Sequence, residues 1–281
     1  MIDIVVPFFN QSSRVRACLR ALDASVDDHT NIILVDDASD PEEAQAVRDA
    51  AAAAKRPVRV LSHETNQGFC GSVMTGIGAS DGKYVILLNS DTLPTPGFAN
   101  LLVDVMERAP DIAAVGPVSN KTADLYQFRT GFPDVPSTPP GPFPQVLAFA
   151  KERRVGFAGK ISEAPYLTGM CLALDRAAAE TVGWFGKDYL HGYFEDLDIC
   201  CRLRAAGKRL AIREDCFVYH VGHASYASLD RLRIIPALMN NYRLFSSRWE
   251  HLPEHEDLIR RIQLAGQTAT IGAFAKEASH V

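Results

Sequence analysis

The composition is that of a globular protein with no electrostatic preference for nucleic acid. The chain has 281 residues, of which 47% are hydrophobic and 22% charged, and its formal net charge is -5. This length can bury one large core without cross-links. An acidic total does not supply the basic face that a polyphosphate backbone requires, so we exclude a nucleic-acid partner.

The cysteine spacing and the lengths of the apolar runs indicate the cellular compartment. The six cysteines form no CxxC pair and no zinc-type spacing, which favours reduced thiols in a cytoplasm. The amino terminus has no basic region typical of a signal peptide, and no apolar run reaches the roughly 18 residues of a membrane span. We expect a cytoplasmic protein without a transmembrane segment, and a peripheral position at the inner face of the membrane is compatible with this pattern.

The amino-terminal half alternates between short β-branched runs and helical stretches. The runs are residues 2–7, 31–36, 58–62 and 84–88, and segments such as 14–22 and 42–54 have helical spacing. Continuous apolar runs are typical of strands that are buried on both faces, as in a mostly parallel sheet covered by helices. The sequence therefore predicts an α/β fold.

Ligands of such sheets lie beyond the carboxyl ends of the strands, and polar residues stand at those positions here. The fourth run ends on Asn89, Ser90 and Asp91. Because a hard divalent cation can be held by one or two carboxylates while it neutralises a diphosphate, Asp91 is a candidate metal ligand. Alternatively, the trio caps a helix that starts near Pro94–Pro96.

The glycine-rich segment 66–78 matches no standard nucleotide-binding loop. Gly71 and Gly76 have the internal spacing of a P-loop, but Ile77 and Gly78 stand where Lys and Ser or Thr are needed. No GxGxxG fingerprint follows the first strand either. The sequence thus argues against kinase-like and NAD-binding functions.

The pattern changes after residue 118. Residues 119–165, with a proline-rich stretch at 133–144, predict a surface excursion, and we expect a mobile acceptor-side loop within residues 133–165. The predicted elements that follow are a strand at 166–175, helices at 176–182 and 193–207, two short strands at 209–212 and 216–220, and a helical tail from 229 to 281.

Five segments, "VVPFFNQ", "ILVDDASD", "ETNQGF", "LLNSDT" and "YFEDLDICCRLRAAGKRL", resemble in the same order the landmarks of family 2 glycosyltransferases with the GT-A fold. The resemblance covers roughly residues 1–225 and is greatest to the rhamnosyltransferase-like branch. It implies a GT-A domain over residues 1–228, with a mixed, mainly parallel sheet flanked by helices, and a helical carboxyl-terminal extension over 229–281.

The resemblance also implies roles for individual residues. Asp91 would bind Mg or Mn together with Asn89, which replaces the usual Asp, and His220 would approach the metal or the diphosphate. Asp196 would be the general base, with Glu195 beside it. The positions that match the donor-binding and sugar-binding segments are Pro7, Phe8, Asn10, Asp37, Asn66, Gly68, Ser90, Thr168 and Gly169.

Simpler interpretations exist for several of these residues. Glu195 and Asp196 could be acids favoured at a helix amino terminus, and Asp198 with Arg202 predicts an i,i+4 surface pair. His220 could be an ordinary histidine at a strand end. Asp36 and Asp37 could belong to a turn before the helix at Pro41.

The predicted function is that of an inverting glycosyltransferase with Mg or Mn as cofactor. It would move a sugar from a nucleotide-sugar donor to a hydroxyl of a saccharide or lipid-linked saccharide acceptor, in bacterial cell-surface polysaccharide synthesis. A sugar nucleotidyltransferase is one alternative, but it would need a glycine-rich basic loop where "PFFNQSS" stands. A non-catalytic carbohydrate-binding or partner-binding module is the other. The sequence predicts no oligomeric state.

Overall fold

The structure, a computed structural model, describes residues 1–120, 126–129, 131–132, 143–186, 188–189, 192–222 and 231–266. The strands are β1 (Ile2–Phe8), β2 (Thr30–Asp36), β3 (Val58–Ser62), β4 (Tyr84–Leu88), β5 (Thr92–Pro94), β6 (Ile112–Val118), β7 (Ile161–Glu163), β8 (Cys171–Asp175) and β9 (Arg209–His220). The helices are α1 (Ser12–Asp23), α2 (Pro41–Ala52), α3 (Gly68–Gly78), α4 (Phe98–Arg108), α5 (Phe143–Gly156), α6 (Arg176–Val182), α7 (Glu195–Ala205), α8 (Arg231–Trp249) and α9 (His255–Gly266).

One mixed sheet organises the chain. Its strand order is β3-β2-β1-β4-β8-β6-β9-β5, and β7 pairs with β9. Strands β1, β2, β3, β4, β6 and β9 point in one direction, whereas β5, β7 and β8 run against them. The predicted α/β fold with a mixed, mainly parallel sheet is therefore confirmed.

The first four predicted strands are confirmed to within one residue at either end. Every residue of β1 and β4 is buried, as expected for central strands that are covered on both faces. Strand β3 is only partly buried because it forms an edge of the sheet. The apolar runs therefore identified the strands, and the degree of burial follows from their position in the sheet.

Three later elements differ from their predicted bounds. Only Cys171–Asp175 of the predicted strand 166–175 is a strand. The two short strands predicted at 209–220 are one strand, β9, whose register against β6 shifts between Pro117 and Val118. Helix α7 begins at Glu195 rather than at residue 193, because Tyr193 and Phe194 have positive φ angles of 72° and 71°.

The predicted surface excursion over 119–165 is wrong for a large part of its length. Helix α5 and strand β7 lie within it, and α5 buries Val146, Ala150 and Arg153. The Arg153 guanidinium donates to the backbone oxygen of Glu214 on β9 at 3.0 and 2.8 Å, so this helix is fastened to the sheet. Residues 133–142, which hold most of the prolines, lie outside the described residues.

The carboxyl-terminal helices pack onto the α/β core. Phe245 of α8 and Leu258 of α9 are fully buried and belong to the same apolar cluster as Ile199 of α7. The predicted division after residue 228 falls outside the described residues and stays a prediction. None of the helices in the described ranges has both the length and the apolar character that a membrane crossing needs.

The predicted surface pair of Asp198 and Arg202 is buried instead. The Asp198 side chain is 2% exposed, and its Oδ2 accepts from Arg202 Nε at 2.7 Å. Its Oδ1 accepts from the Tyr189 hydroxyl at 3.0 Å and from Trp249 Nε1 of α8 at 2.9 Å. The prediction of surface exposure was wrong because it considered only the spacing within α7. Helix α8, which is distant in the sequence, covers the carboxylate.

The glycine-rich segment 68–78 is helix α3, and one of its glycines is required by packing. A Cβ added at Gly76 would lie 2.3 Å from Val5 Cγ1 on β1, whereas a Cβ at Gly78 would meet nothing within 4 Å. Close approach of a helix to a strand, rather than binding of a phosphate, accounts for glycine at position 76.

We expect Gly76→Ala to lower the free energy of unfolding by about 1–3 kcal/mol, the usual cost of an extra methyl group in a filled core. Gly78→Ala, two residues further along the same helix, should be neutral or stabilising by up to about 1 kcal/mol, because alanine favours helix. Urea denaturation of both variants measures this difference. Equal stability of the two variants would contradict the packing argument.

Candidate active site

The loops after β1 and β2 are tied together at one edge of the sheet. Asn10 has a positive φ of 54°, its backbone N–H donates to Ser39 Oγ at 2.8 Å, and its Oδ1 accepts from the backbone of Asp40 at 2.8 Å. Pro7 and Phe8 are buried in β1, and the Phe8 oxygen accepts from the backbone of Asp37 at 2.9 Å. Asn10 therefore fixes a loop beside Asp37.

The Asp37 carboxylate receives several hydrogen bonds at the start of α3. Its Oδ1 accepts from the backbone of Gln67 at 2.7 Å, and its Oδ2 accepts from the backbone of Gly68 at 2.9 Å. The ring Nδ1 of His63 lies 2.8 Å from Oδ1, and its Nε2 lies 2.8 Å from Thr75 Oγ1. Asn66 Nδ2 donates to the backbone oxygen of Asp37 at 3.1 Å. Asp37 thus caps α3, and Oδ2 keeps acceptor capacity for a ligand.

Asp91 and His220 meet because β5 pairs antiparallel with β9, with Thr92 opposite His220. Asp91 Oδ1 lies 3.3 Å from His220 Nε2, and the backbone oxygen of Asp91 accepts from Val221 at 3.0 Å. Helix α4 begins at Phe98, seven positions beyond Asp91, so the predicted helix-capping role of the trio is wrong.

Asn89 and Ser90 stand next to Asp91 and are both half-buried. The backbone oxygen of Asn89 accepts from Thr92 Oγ1 at 2.7 Å. This bond closes the turn between β4 and β5, so the turn that carries Asp91 has a defined shape.

Asp91 is ionised despite its burial. Burial by itself would raise the pKa of this carboxyl, but the His220 ring and the more distant Arg14 guanidinium outweigh that effect and lower the pKa. Arg14 lies in the first turn of α1, and its Nη1 is buried and finds no hydrogen-bond partner among the residues that the structure describes. A buried cationic N–H group near Asp91 is suited to an anionic ligand.

The donors around Asp91 fit a divalent cation that completes its coordination with substrate oxygens. In the described ranges, His, Cys, Asp and Glu form no cluster of three that could hold a metal by protein ligands alone. A single carboxylate with a neighbouring imidazole resembles a Mg or Mn site that binds through few protein ligands and substrate phosphates.

A second acidic cluster lies at the start of α7. Asp196 Oδ2 accepts from the backbone of Gly169 at 2.7 Å, and its Oδ1 accepts from the backbone of Leu197 at 2.9 Å. A Cβ added at Gly169 would lie 3.4 Å from Asp196 Cβ, an ordinary van der Waals distance, so the hydrogen bond to Asp196 does not itself require glycine. Glu195 is 5% exposed, and its Oε2 is buried with no hydrogen-bond partner in the described part of the chain.

Burial raises the pKa of both carboxyl groups. For Glu195 the pKa lies well above its ordinary value, because of burial first and the neighbouring Asp196 charge second. For Asp196 burial again raises the pKa, while the N–H groups of Gly169 and Leu197 oppose the shift. Burial therefore favours the neutral form of both carboxyl groups, whereas the backbone N–H groups favour the ionised form of Asp196.

The two acidic clusters are joined through adjacent strands. Strand β4 pairs antiparallel with β8, with Leu88 opposite Cys171, and the backbone N–H of Asn89 donates to the Met170 oxygen at 2.9 Å. Met170 follows Gly169, which holds Asp196. The turn that bears Asp91 is thus hydrogen-bonded to Met170, and the carboxylate of Asp196 is hydrogen-bonded to the preceding residue, Gly169. Both bonds lie at one edge of the sheet.

Thr168 is held by a residue that the sequence did not single out. Gln127 is fully buried, its Oε1 accepts from the backbone of Thr168 at 2.7 Å, and its Nε2 donates to the Pro117 oxygen at 2.8 Å. His63 and Arg14 were also missed. His63 directly follows β3 and could have been found by the rule that ligands lie beyond strand ends. Gln127 lies in a segment without periodicity, so no sequence signal marked it.

Comparison with known proteins gives the family. Residues 3–183, more than half of the chain, match the family described as Glycosyl transferase family 2. The chain belongs to this family. The predicted family and class of enzyme, a glycosyltransferase, are confirmed at that level.

Similar proteins align with different fractions of this family 2 member. It is similar, at 26% identity over 230 residues, to the N-acetylglucosaminyl-diphospho-decaprenol L-rhamnosyltransferase of Mycobacterium tuberculosis, covering 74% of this chain and 71% of that one. An uncharacterised glycosyltransferase of Haemophilus influenzae is 31% identical over 112 residues, which are 40% of this chain and 36% of that protein. The chain thus spans only about a third of that relative.

A solved structure supports the fold. The mannosyltransferase PcManGT from Pyrobaculum calidifontis, in complex with GDP-Man and Mn2+, aligns with a TM-score of 0.64 and 17% identity, covering 99% of this chain and 74% of that one. An identity this low speaks for the fold alone, and the GT-A fold predicted from the sequence is confirmed.

We expect Asp37→Asn to lower the free energy of unfolding by roughly 1.5–3 kcal/mol, because an amide cannot replace a charged acceptor of several N–H groups. Asp40→Asn is the matched control: its side chain is exposed and makes no capping bond to α2. The control should change stability by less than about 0.5 kcal/mol. Urea denaturation measures both, and equal effects would show that Asp37 does not cap α3.

Proposed function

We propose that this family 2 member is an inverting glycosyltransferase that uses Asp196 as its base. The observation that carries the proposal is a buried carboxylate at the start of α7 that is oriented by two backbone N–H groups. One of them belongs to Gly169, whose neighbour Met170 accepts a hydrogen bond from the Asn89–Asp91 turn. One carboxylate for proton transfer beside a site for a diphosphate is the arrangement that glycosyl transfer from a nucleotide sugar requires.

The donor diphosphate is proposed to bind between Asp91, His220 and Arg14. Asp91 and His220 would hold a Mg or Mn ion, which supplies positive charge for the leaving diphosphate when it is bound. Arg14 would donate its unpaired Nη1–H to a phosphate oxygen. Asn89 and Ser90 shape the turn that presents Asp91.

The nucleoside is proposed to bind over the edge formed by the loops after β1, β2 and β3. Asp37 would accept from the base through the remaining capacity of Oδ2, and Asn10 would define the wall of this site. Pro7, Phe8, Asn66 and Gly68 complete it. The hydrogen bonds that hold Asp37 support this role, since they fix the carboxylate before a ligand arrives.

The transfer step is a single displacement. As the acceptor oxygen forms its bond to the anomeric carbon, its proton passes to Asp196, and the bond from that carbon to the diphosphate oxygen breaks with the electron pair on the diphosphate. Each Asp196 oxygen accepts one backbone N–H and keeps a lone pair for the proton. Attack opposite the leaving group inverts the carbon.

Glu195 and the Thr168–Gly169 segment are proposed to orient the acceptor or the transferred sugar. Burial raises the pKa of Glu195 well above its ordinary value, and this favours the neutral form, which can donate a hydrogen bond to a hydroxyl. Thr168 is buried beside Gly169, which holds Asp196. Both features support a place on the acceptor side.

The acceptor is proposed to be a saccharide or lipid-linked saccharide of bacterial cell-surface polysaccharide synthesis. The name of the mycobacterial relative, which acts on a diphospho-decaprenol-linked sugar, supports this class. A lipid-linked acceptor would place the reaction at the inner face of the membrane. In this proposal residues 1–228 form the catalytic domain, and the extension from 229 packs onto it.

A non-catalytic module is less well supported. Glu195 and Asp196 are buried, and within the described ranges neither forms an ion pair, so keeping both carboxyl groups costs stability. Such a cost is typical of functional sites. A sugar nucleotidyltransferase is not favoured, because β1 leads into α1 without a glycine-rich basic loop.

We expect Arg14→Gln to weaken binding of the nucleoside diphosphate by about 10-fold or more, the factor that corresponds to 1.4 kcal/mol. The loss follows from removal of a charged donor to phosphate. Arg16→Gln, at an exposed arginine of the same helix, is the control and should leave affinity unchanged. Calorimetry of UDP and GDP with Mn present measures both variants. Equal affinities would exclude Arg14 from the site.

Asp196→Asn should bind the donor with wild-type affinity and lose about 100-fold to 10,000-fold in turnover, because the amide cannot take the acceptor proton. Release of nucleoside diphosphate from the donor measures turnover. Asp28→Asn, at a side chain that is 94% exposed, controls for the substitution itself. Near wild-type turnover of Asp196→Asn would rule out its role as base.

The rate should depend on pH through Asp196. The base must be ionised, and burial raises the pKa of Asp196, so kcat/KM should fall with decreasing pH on a limb above the ordinary aspartate range near about 4. A profile of kcat/KM against pH in constant ionic strength measures the limb. A profile that stays flat down to about pH 4 would contradict the assignment.

A further inference from the structure

An unfavourable backbone conformation immediately precedes the acidic pair. Gly192, Tyr193 and Phe194 have φ angles of 89°, 72° and 71° in succession. Glycine tolerates positive φ, but aromatic residues are rarely found there, and two in a row are more unusual still. Such a conformation persists only where surrounding groups hold it.

Helix α8 supplies the groups that hold this segment. Asn241 is fully buried, and its Nδ2 donates to the Gly192 oxygen at 2.8 Å and to the Tyr193 oxygen at 3.3 Å. The Phe194 ring lies against two rings of α8, with centroids 5.9 Å from Tyr242 and 5.4 Å from Phe245. The segment is thus held by hydrogen bonds to two of its carbonyl groups and by packing of the Phe194 ring against α8.

Helix α8 also contacts the first turn of α7. Trp249 Nε1 donates to Asp198 Oδ1 at 2.9 Å, and the backbone N–H of Asp198 donates to the Phe194 oxygen at 2.8 Å. Asp196 lies between these two contacts. The position of its carboxylate therefore depends on helix α8 as well as on Gly169.

We propose that Asn241 is a positioning residue for Asp196, which makes helix α8 part of the catalytic apparatus rather than an appended support. This inference rests on the proposed role of Asp196 as base. Without the amide of Asn241, residues 193 and 194 relax toward negative φ, and the first turn of α7 rotates. A displacement of about 1 Å at a reacting group can reduce a rate by about 100-fold.

The test compares Asn241→Leu, which keeps the volume but removes the donor, with Asn241→Gln, which keeps an amide. Leu258→Ala is the stability control: Leu258 is fully buried and lies on α9, whereas the hydrogen bonds and ring contacts that hold the 192–194 segment come from α8. We expect Asn241→Leu to lower kcat at least tenfold with donor affinity within about twofold, and Asn241→Gln to recover part of the loss. Leu258→Ala should lower the melting temperature and leave the kcat of the folded protein unchanged.

A double substitution separates positioning from other effects. If Asn241 acts through Asp196, adding Asn241→Leu to Asp196→Asn should cause no further loss of turnover. Multiplicative losses would overturn the inference, as would an unchanged kcat in Asn241→Leu. If Asn241→Leu does not fold, Asn241→Ser is assayed in its place under the same criteria. Wild-type turnover in Asp196→Asn alone would instead refute the proposed function.

Discussion

One backbone hydrogen bond, from Asn89 N–H to the Met170 oxygen at 2.9 Å, determines how the two acidic clusters are arranged. It closes the end of the antiparallel β4–β8 ladder, which interrupts the otherwise parallel strands of the amino-terminal half. A parallel neighbour of β4 would place its carboxyl end at the edge of the sheet where β4 ends. Strand β8 runs antiparallel to β4, so its amino-terminal end lies at that edge instead. The Thr168–Gly169 segment, and with it Asp196, reaches the turn of Asp91 for this reason.

Backbone N–H groups at helix starts orient two of the acidic side chains. Gln67 and Gly68 of the α3 start donate to Asp37, and Leu197 of the α7 start donates to Asp196. These positions also lie at the positive ends of the helix dipoles. Burial and the neighbouring Asp196 charge raise the pKa of Glu195 well above its ordinary range, and its own backbone N–H opposes this shift. Burial and backbone N–H groups therefore act in opposite directions on both carboxyl groups of the pair.

The strands and the acidic positions could be predicted because both depend on short-range patterns. Continuous apolar runs marked β1 to β4, and polar residues after those runs marked Asp37 and Asp91. Contacts between distant segments could not be predicted: Gln127 reaches Thr168 across 41 positions, and Asn241 reaches Gly192 across 49. The positive φ angles of Tyr193 and Phe194 had no signal either, since neither residue favours that conformation. Tertiary contacts impose it, and the predicted start of α7 was early for that reason.

A single displacement with Asp196 as base is tested most directly by the anomeric configuration of the product. Purified protein is incubated with a panel of nucleoside-diphosphate sugars and Mn, and the released or transferred sugar is followed by NMR before it can mutarotate. The nucleotide sugar that is turned over should give a product of opposite anomeric configuration to the donor. A product that retains the donor configuration would contradict the direct attack of an acceptor oxygen activated by Asp196.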